Sequence, residues 1–411
     1  MTRARTPTDS RALNRRQFLL GAGAIGATAA FGSFGSKALA RSLPAATAGS
    51  TVPTLVLVTL YGGNDALNMV CPVENTTYRS LRGSLALDPA DTHDVGEGFA
   101  FHPAMPLTKS LWDAGRAAVV HGVGFEALDR SHFHCMDVWQ SGSEHDATTG
   151  WVGRWLDAVG TDPLDAVAVG TDLPLLLRGA KRSAAVVPAG PFDLPGPPDL
   201  PSRDLLASQV SVLSAPDPER APLAALVAAS TNDLLTVIDT VSPLLATTAP
   251  AGDEGEGDPG GLSAGLATVA TLIEADLPSR VYSVALRGFD THAGQAPIHS
   301  GLLGELDTAL GAFVERMGGR PVTVAVYSEF GRRVAPNASD GTDHGSGGTM
   351  VLAGRVRPGH HGEPPSLDAL VNGDLATTTD YRAVFGGLLE GVIGIDAGDV
   401  LDGAPAAMSL V

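Results

Sequence analysis

The chain has 411 residues, 44% hydrophobic and 18% charged, with a formal net charge of −18. That balance is globular and excludes wholesale disorder, and the length suits one large α/β domain or two ordinary ones. A field of that sign repels nucleic acid and anionic lipid surfaces, so an anionic substrate needs a local cation, a metal or an arginine, to be held.

The amino-terminal segment reads as an address. Asn14-Arg15-Arg16-Gln17-Phe18-Leu19-Leu20 leads into a soft Gly/Ala/Ile run, and Ala38-Leu39-Ala40 precedes Arg41. Paired arginines, a weakly apolar core and an A-x-A site predict a twin-arginine export signal over residues 1–40. An ordinary secretory signal or a membrane anchor is the rival reading. Against an anchor, the core is too short for a span of about 20 apolar residues. The expectation is passage through the twin-arginine machinery, already folded, to the periplasm or beyond. No stable membrane insertion is expected after cleavage.

Residues 41–52 read as a linker and 53–411 as a single α/β domain. Thr54–Leu60 is an apolar, β-branched run of buried-strand type. His102–Ala114 reads as a helix with Pro103 near its first turn, and Ala117–Val123 as a strand. Ser131–Ser141 has helical spacing, with Ser131 at the N-cap and Phe133, Met136 and Trp139 on one side. Gly150–Val159 follows as a short helix. Ala166–Gly170, Leu173–Arg178 and Ser183–Val187 are strand candidates. Pro188–Ser202 is irregular. A helical insertion is expected at about 204–278, from Leu205–Leu213, Ala221–Val241 and Leu262–Leu277, either capping the core or forming part of one face. Between the last two, Thr247–Gly261 reads as a solvated acidic loop, with a calcium loop as the alternative.

The pattern then alternates. Arg280–Leu286, Pro321–Tyr327 and Thr349–Ala353 read as strands, and Ala296–Met317 and Asp380–Gly394 as helices. Such alternation predicts right-handed crossovers and a mainly parallel central sheet with helices on both faces. Cys71 and Cys135 are expected to be two buried thiols, with a disulfide as the alternative.

Five short clusters carry chemistry: Gly62-Gly63-Asn64-Asp65, Arg130-Ser131-His132, Asp290-Thr291-His292, Ser328–Arg332 and Asp343-His344-Gly345. Three of them follow strand-like runs directly. Loops at the carboxyl ends of parallel strands meet in one crevice, where ligands bind. Asp65, Asp290, His292, Glu329, Asp343 and His344 are therefore candidate ligands for zinc, manganese or calcium. The glycines before Asp65 would let backbone approach a ligand closely. Arg332 and Arg333 are placed to pair with Glu329 or to hold an anionic group. Ser131 is either a plain N-cap or a nucleophile on a helix N-terminus. His132 beside it is a ligand, a general acid or a packed residue. Asn68, His102, His121 and His145 read as structural. No nucleophile elbow, Walker loop or dinucleotide fingerprint is present.

In order, these stretches resemble the twin-arginine-exported bacterial family known as domain of unknown function 1501. The resemblance rests on Leu55–Asn68 (LVLVTLYGGNDALN), Ala117–Trp139, Gly150–Arg154, Gly288–His292, Ser328–Arg333 (SEFGRR) and Gly341–Gly345 (GTDHG). That family is grouped with the alkaline-phosphatase-like superfamily, which includes sulfatases. The resemblance implies a two-metal α/β fold with an alkoxide-type nucleophile. It implies Asp65 as the carboxylate after the first strand, Ser131 at the nucleophile's place, and Asp290 with His292 on one metal. It implies Asp343 with His344 on a second metal, and His360 or His361 as a late histidine. The chain departs from the superfamily pattern in holding Glu329 where an Asp-His pair usually follows its strand. The expected function is hydrolysis of phosphate or sulfate esters, with a small anionic ester as substrate. The alternative is a non-catalytic metal- or ligand-binding envelope protein.

Overall fold

The computed structural model describes residues 52–126, 129–145, 147–191, 205, 208, 222–246 and 261–411. The export signal, most of the linker, most of the helix expected at Leu205–Leu213 and nearly all of the acidic loop lie outside these residues. The strands are β1 (Thr54–Tyr61), β2 (Val70–Cys71), β3 (His93–Gly96), β4 (Phe99–Phe101), β5 (Ala117–Gly124), β6 (Ala166–Val169) and β7 (Ala185–Val187). They continue as β8 (Val281–Arg287), β9 (Val322–Tyr327), β10 (Gly348–Gly354), β11 (Gly359–His361) and β12 (Thr379–Asp380).

Eight strands form the sheet in the order β11-β5-β10-β9-β1-β8-β6-β7, with β12 also paired to β5. Every pairing is parallel except those of β10, which runs antiparallel between β5 and β9. The mainly parallel sheet is thus as expected. β1 at its centre is buried along nearly its whole length, which is why its sequence is a continuous apolar run rather than an alternation. Val56, Val58 and Leu60 face one core and Leu55 and Leu57 the other.

Helices cover both cores: α1 (Ala66–Met69), α2 (Thr76–Arg82), α3 (Pro106–Asp113), α4 (His132–Ser141), α5 (Trp151–Val159), α6 (Pro222–Leu245), α7 (Gly261–Glu274), α8 (Gln295–Met317) and α9 (Tyr381–Leu388). Leu303, Leu306, Leu310 and Phe313 of α8 join Leu266 and Val269 of α7 and Val241 of α6 on the first face. The described part of the helical middle therefore belongs to one face of the sheet. Trp139, Trp151 and Phe385 bring α4, α5 and α9 onto the second. Among the described residues no helix is long and apolar enough to cross a membrane.

Three local expectations are corrected. The helix expected from His102 begins at Pro106, because the buried Asp307 carboxylate accepts the Leu107 and Thr108 N–H groups (2.9 and 2.6 Å) and fixes the first turn there. Leu173–Arg178 is not a strand. Leu175–Leu177 forms a 3-10 turn whose Leu176 N–H donates to Gln140 Oε1 (3.2 Å). Phe133 does not share a packed face with Met136 and Trp139; it is 87% exposed. Cys71 and Cys135 are free, buried thiols, each pushed up to about 12, first of all by burial.

Two features set the loops over the sheet. Asp65 and Arg82 form a fully buried ion pair, and Arg82 also donates to the Arg333 and Val334 carbonyls (3.1 and 3.0 Å). Burial raises the Asp65 carboxyl, but the charges of Arg82 and His299 and hydrogen bonds from Arg82 and Gln295 outweigh it, holding it below its ordinary value. Gly62, at φ +118°, lets the end of β1 lie against the loop after β8; a Cβ there would sit 2.4 Å from Asp290 N.

Arg82→Met should therefore cost about 3–5 kcal/mol by stranding a buried carboxylate, read from denaturant midpoints. The Asp65 carboxyl titrates lower in the folded than in the unfolded chain. Its contribution is complete above an unfolded value of about 3.9 and disappears as pH falls through the folded one. Acid unfolding of wild type and of Arg82→Met should accordingly differ most above pH 4. Gly62→Ala should cost ~1–3 kcal/mol through strain and collision. Gly301→Ala, inside α8 where a Cβ meets nothing within 4 Å, should gain up to about 1 kcal/mol instead.

Candidate functional site

The loops after β1, β8 and β9 lie at carboxyl ends of neighbouring parallel strands, and the segment before β10 folds back against the loop after β9. Arg332 bridges His344 in antiparallel fashion, Arg333 N–H donates to the Asp343 carbonyl (3.0 Å) and Gly345 N–H to the Gly331 carbonyl (2.9 Å). This ladder carries His344 to Asp290, although 54 residues separate them. His132 arrives as the first residue of α4, whose N-cap Ser131 accepts the His134 N–H (3.4 Å).

Four side chains meet at one point. Around Asp290 Oδ1 stand His292 Nε2 at 3.0 Å, His344 Nε2 at 3.2 Å and His132 Nε2 at 3.4 Å. His292 Nε2 is 2.9 Å from His344 Nε2. The ligand atoms of His132, Asp290 and His344 all lie within 4.8 Å of one another.

The other nitrogen of each ring faces an acceptor. His132 Nδ1 is 2.7 Å from Glu329 Oε1, His344 Nδ1 is 2.9 Å from the Arg130 carbonyl, and His292 Nδ1 is 3.3 Å from Asp343 Oδ1. With those acceptors taking the Nδ1 protons, each neutral ring would keep its Nε2 lone pair inward. Three imidazole lone pairs and a carboxylate oxygen then converge with no hydrogen between them. His132 Nε2 is buried and has no hydrogen-bond partner. That is the donor set and the unmet need of a cation site, centred on His132, Asp290 and His344 with His292 alongside.

Arg332 sets the negative pole. Its buried guanidinium donates to Asp290 Oδ1 (2.6 Å) and to four carbonyls, Gly62, Gly63 (2.7 Å), Phe289 (3.0 Å) and Thr342 (2.9 Å). Partial burial raises the Asp290 carboxyl, but the Arg332 hydrogen bond and charge lead the effects that bring it down to about 2. The hydrogen bond to Glu329 raises His132, against burial, while burial lowers His344. On Asp343 the Asn337 hydrogen bond lowers the carboxyl.

Of the residues singled out in the sequence, His132, Asp290, His292 and His344 come together. Glu329, Asp343 and Arg332 stand immediately behind them. Asp65 does not join the group: its Oδ2 takes the Arg82 and Gln295 bonds while Oδ1 is buried without a partner, and Gly62 lies against the β8 loop and Gly63 against Phe330 of the β9 loop. Of the two pairs expected on separate ions, Asp290, His292 and His344 gather at one point, because the ladder swings His344 to Asp290, while Asp343 turns to His292 and Asn337 (3.2 Å). Ser131 Oγ is engaged at its helix cap. His360 lies away from the centre, on β11, with Nδ1 2.8 Å from His121 Nε2, and His361 binds the Arg357 carbonyl (2.8 Å). Arg82 and Gln295, which hold Asp65, carry no sequence signal; nothing in their spacing marks them.

No curated protein matches the chain. Among solved structures it is similar to the crystal structure of Ps i-CgsB, at 10% identity and a TM-score of 0.37 over 86% of this chain and 75% of that one. It is similar to the soluble domain of lipooligosaccharide phosphoethanolamine transferase A from Neisseria meningitidis, at 10% identity and a TM-score of 0.35 over 85% of this chain and 90% of that one. A protein in the alkaline phosphatase superfamily from Vibrio parahaemolyticus gives 9% identity and a TM-score of 0.34 over 85% of this chain and 68% of that one. Residues 251–384, which hold Asp290, His292, Glu329, Arg332, Asp343 and His344, match the family described as protein of unknown function DUF1501, the family that the ordered motifs resemble.

Proposed function

We propose that the protein is an exported, metal-dependent hydrolase of phosphate or sulfate esters, working at one metal centre held by His132, Asp290, His292 and His344. The observation that carries the reading is the convergence of three inward Nε2 atoms on Asp290 Oδ1, each ring held from behind by an acceptor. Three imidazoles with one carboxylate favour zinc or manganese over calcium, which takes oxygen ligands. A bound divalent ion would supply Lewis-acid polarisation and a counter-charge for an anionic ester.

The protein's own groups have separate tasks. Arg332 holds Asp290 ionised and in place. Glu329, itself buried and accepting the Gly62 N–H (2.9 Å), orients His132. Ser131, at the amino end of α4 and adjacent to His132, is the candidate nucleophile, and the helix end supplies a positive potential for an oxyanion. A second reading, binding without turnover, draws on the engagement of Ser131 Oγ as an N-cap.

Elemental analysis of the whole chain should find about one divalent ion per molecule. Hydrolysis of aryl phosphate and aryl sulfate esters should depend on added zinc or manganese and stop on chelation. His344→Ala should lower turnover at least 100-fold, and Glu329→Gln should weaken metal affinity by about 10–100-fold. Full activity in Ser131→Ala would assign the attack to water. Bound metal with no turnover across the ester panel would favour the second reading, and a chain that takes up no metal would end both.

A further inference from the structure

At the opposite ends of the sheet's strands, three arginines surround one depression. The topology dictates this. Because β10 runs antiparallel between β5 and β9, its last residue lies beside the first residues of both neighbours. Arg116 directly precedes β5, Arg320 precedes β9 by one proline, and Arg355 directly follows β10. Backbone bonds pin the three together: Gly354 N–H to the Arg116 carbonyl (2.9 Å), and Arg355 N–H to the Val322 carbonyl (2.8 Å). Thr323 Oγ1 adds a bond to the Arg355 carbonyl (2.6 Å). The depression between them is about 350 Å³ and is also lined by Gly318, Gly319 and Pro321.

The charges there are only partly met. Arg116 Nη2 donates to the Val314 and Gly318 carbonyls (2.9 and 3.1 Å), which fixes the guanidinium but leaves its charge. Arg320 Nη1 pairs with Asp276 (3.1 Å) and reaches the Ile273 carbonyl (3.4 Å). Arg355 is exposed and makes no ion pair among the described residues. Arg320 faces Asp276 and also Glu274, which pairs with Arg316, but Arg116 and Arg355 have no carboxylate partner among the described residues, which leaves a local excess of positive charge in a chain whose net charge is −18. Convergent guanidinium donors around a concave surface match the oxygens of a tetrahedral oxyanion.

We propose that this depression, at the amino ends of β5 and β9 and remote from the histidine cluster, binds a phosphate or sulfate group. The site is independent of the metal centre and does not require that centre to be catalytic.

The test is calorimetric titration of the full chain, treated with chelator, with inorganic phosphate and with sulfate at low and constant ionic strength, using chloride as control. Saturable binding of both oxyanions, absent with chloride, is expected. Arg355→Gln should weaken it about tenfold and Arg355→Glu should abolish it, whereas His344→Ala should leave it unchanged. Arg320→Gln provides a second variant from a different strand and should also weaken it. Tighter binding of a sugar phosphate than of inorganic phosphate would place the group on a larger ligand, and equal binding would make the free ion the ligand; either upholds the site. No saturable binding, an equal response to chloride, or loss in His344→Ala with retention in Arg355→Glu would overturn it.

Discussion

The site rests on one buried guanidinium. Arg332 is fully enclosed and spends its donors on Asp290 and on carbonyls from the loops after β1 and β8 and from the segment before β10. A buried charge is tolerated only when it is paired and its donors are satisfied. The requirement works in both directions. The guanidinium needs these acceptors, and the loops, each too short to build a core of its own, acquire a common reference point. The close approaches follow from it. Gly62 sits against Asp290 N, Gly341 against the His292 carbonyl carbon, and Gly345 against the Arg332 backbone, where a Cβ would fall 2.2–2.4 Å from its nearest neighbour. The glycines of the motifs thus let backbone meet backbone around the arginine.

With the loops fixed, the histidines are decided by what lies behind them. Each ring places Nδ1 on an acceptor from a different segment: Glu329 after β9, Asp343 before β10, and the Arg130 carbonyl before α4. The outer acceptors set the proton on the far nitrogen, and the near nitrogens are left facing one another and Asp290. Such an arrangement is repulsive in itself, and a cation or added protons must compensate it. Arg332 supplies a cation to Asp290 from the buried side alone. The open side, where Asp290 and His292 are about half exposed, is where a divalent ion would enter.

Much of this was legible in the sequence. Continuous apolar runs announced β1, β8 and β9, because strands covered on both faces need no polar alternation, and Ser131 marked a helix start through a cap that does form. The short β2-β4-β3 sheet was not legible, since strands of two to four residues carry too little pattern. The acid and histidine clusters pointed to the right loops but not to the right partners. Asp65 reads like Asp290 in sequence, a carboxylate after a buried strand. Only the fold brings Arg82 onto the first and three imidazoles onto the second, and a guanidinium seventeen positions away on a helix leaves no trace in motif spacing.

The resemblance implied two metal ions. A second ion would need a free carboxylate near the first. Asp65 is paired with Arg82 and hydrogen-bonded by Gln295 through Oδ2, its Oδ1 lying buried, while Glu329 is occupied by His132 and the Gly62 N–H. Asp343 is 58% exposed and turned to His292 and Asn337. The positive charge that a second ion would bring to the buried side of Asp290 is already present as Arg332. An arginine there cannot exchange, carries no water and cannot activate a nucleophile, but it holds Asp290 ionised over the whole neutral range. A fixed guanidinium behind the carboxylate would leave the four-residue cluster one open face, where the proposed exchangeable ion would sit.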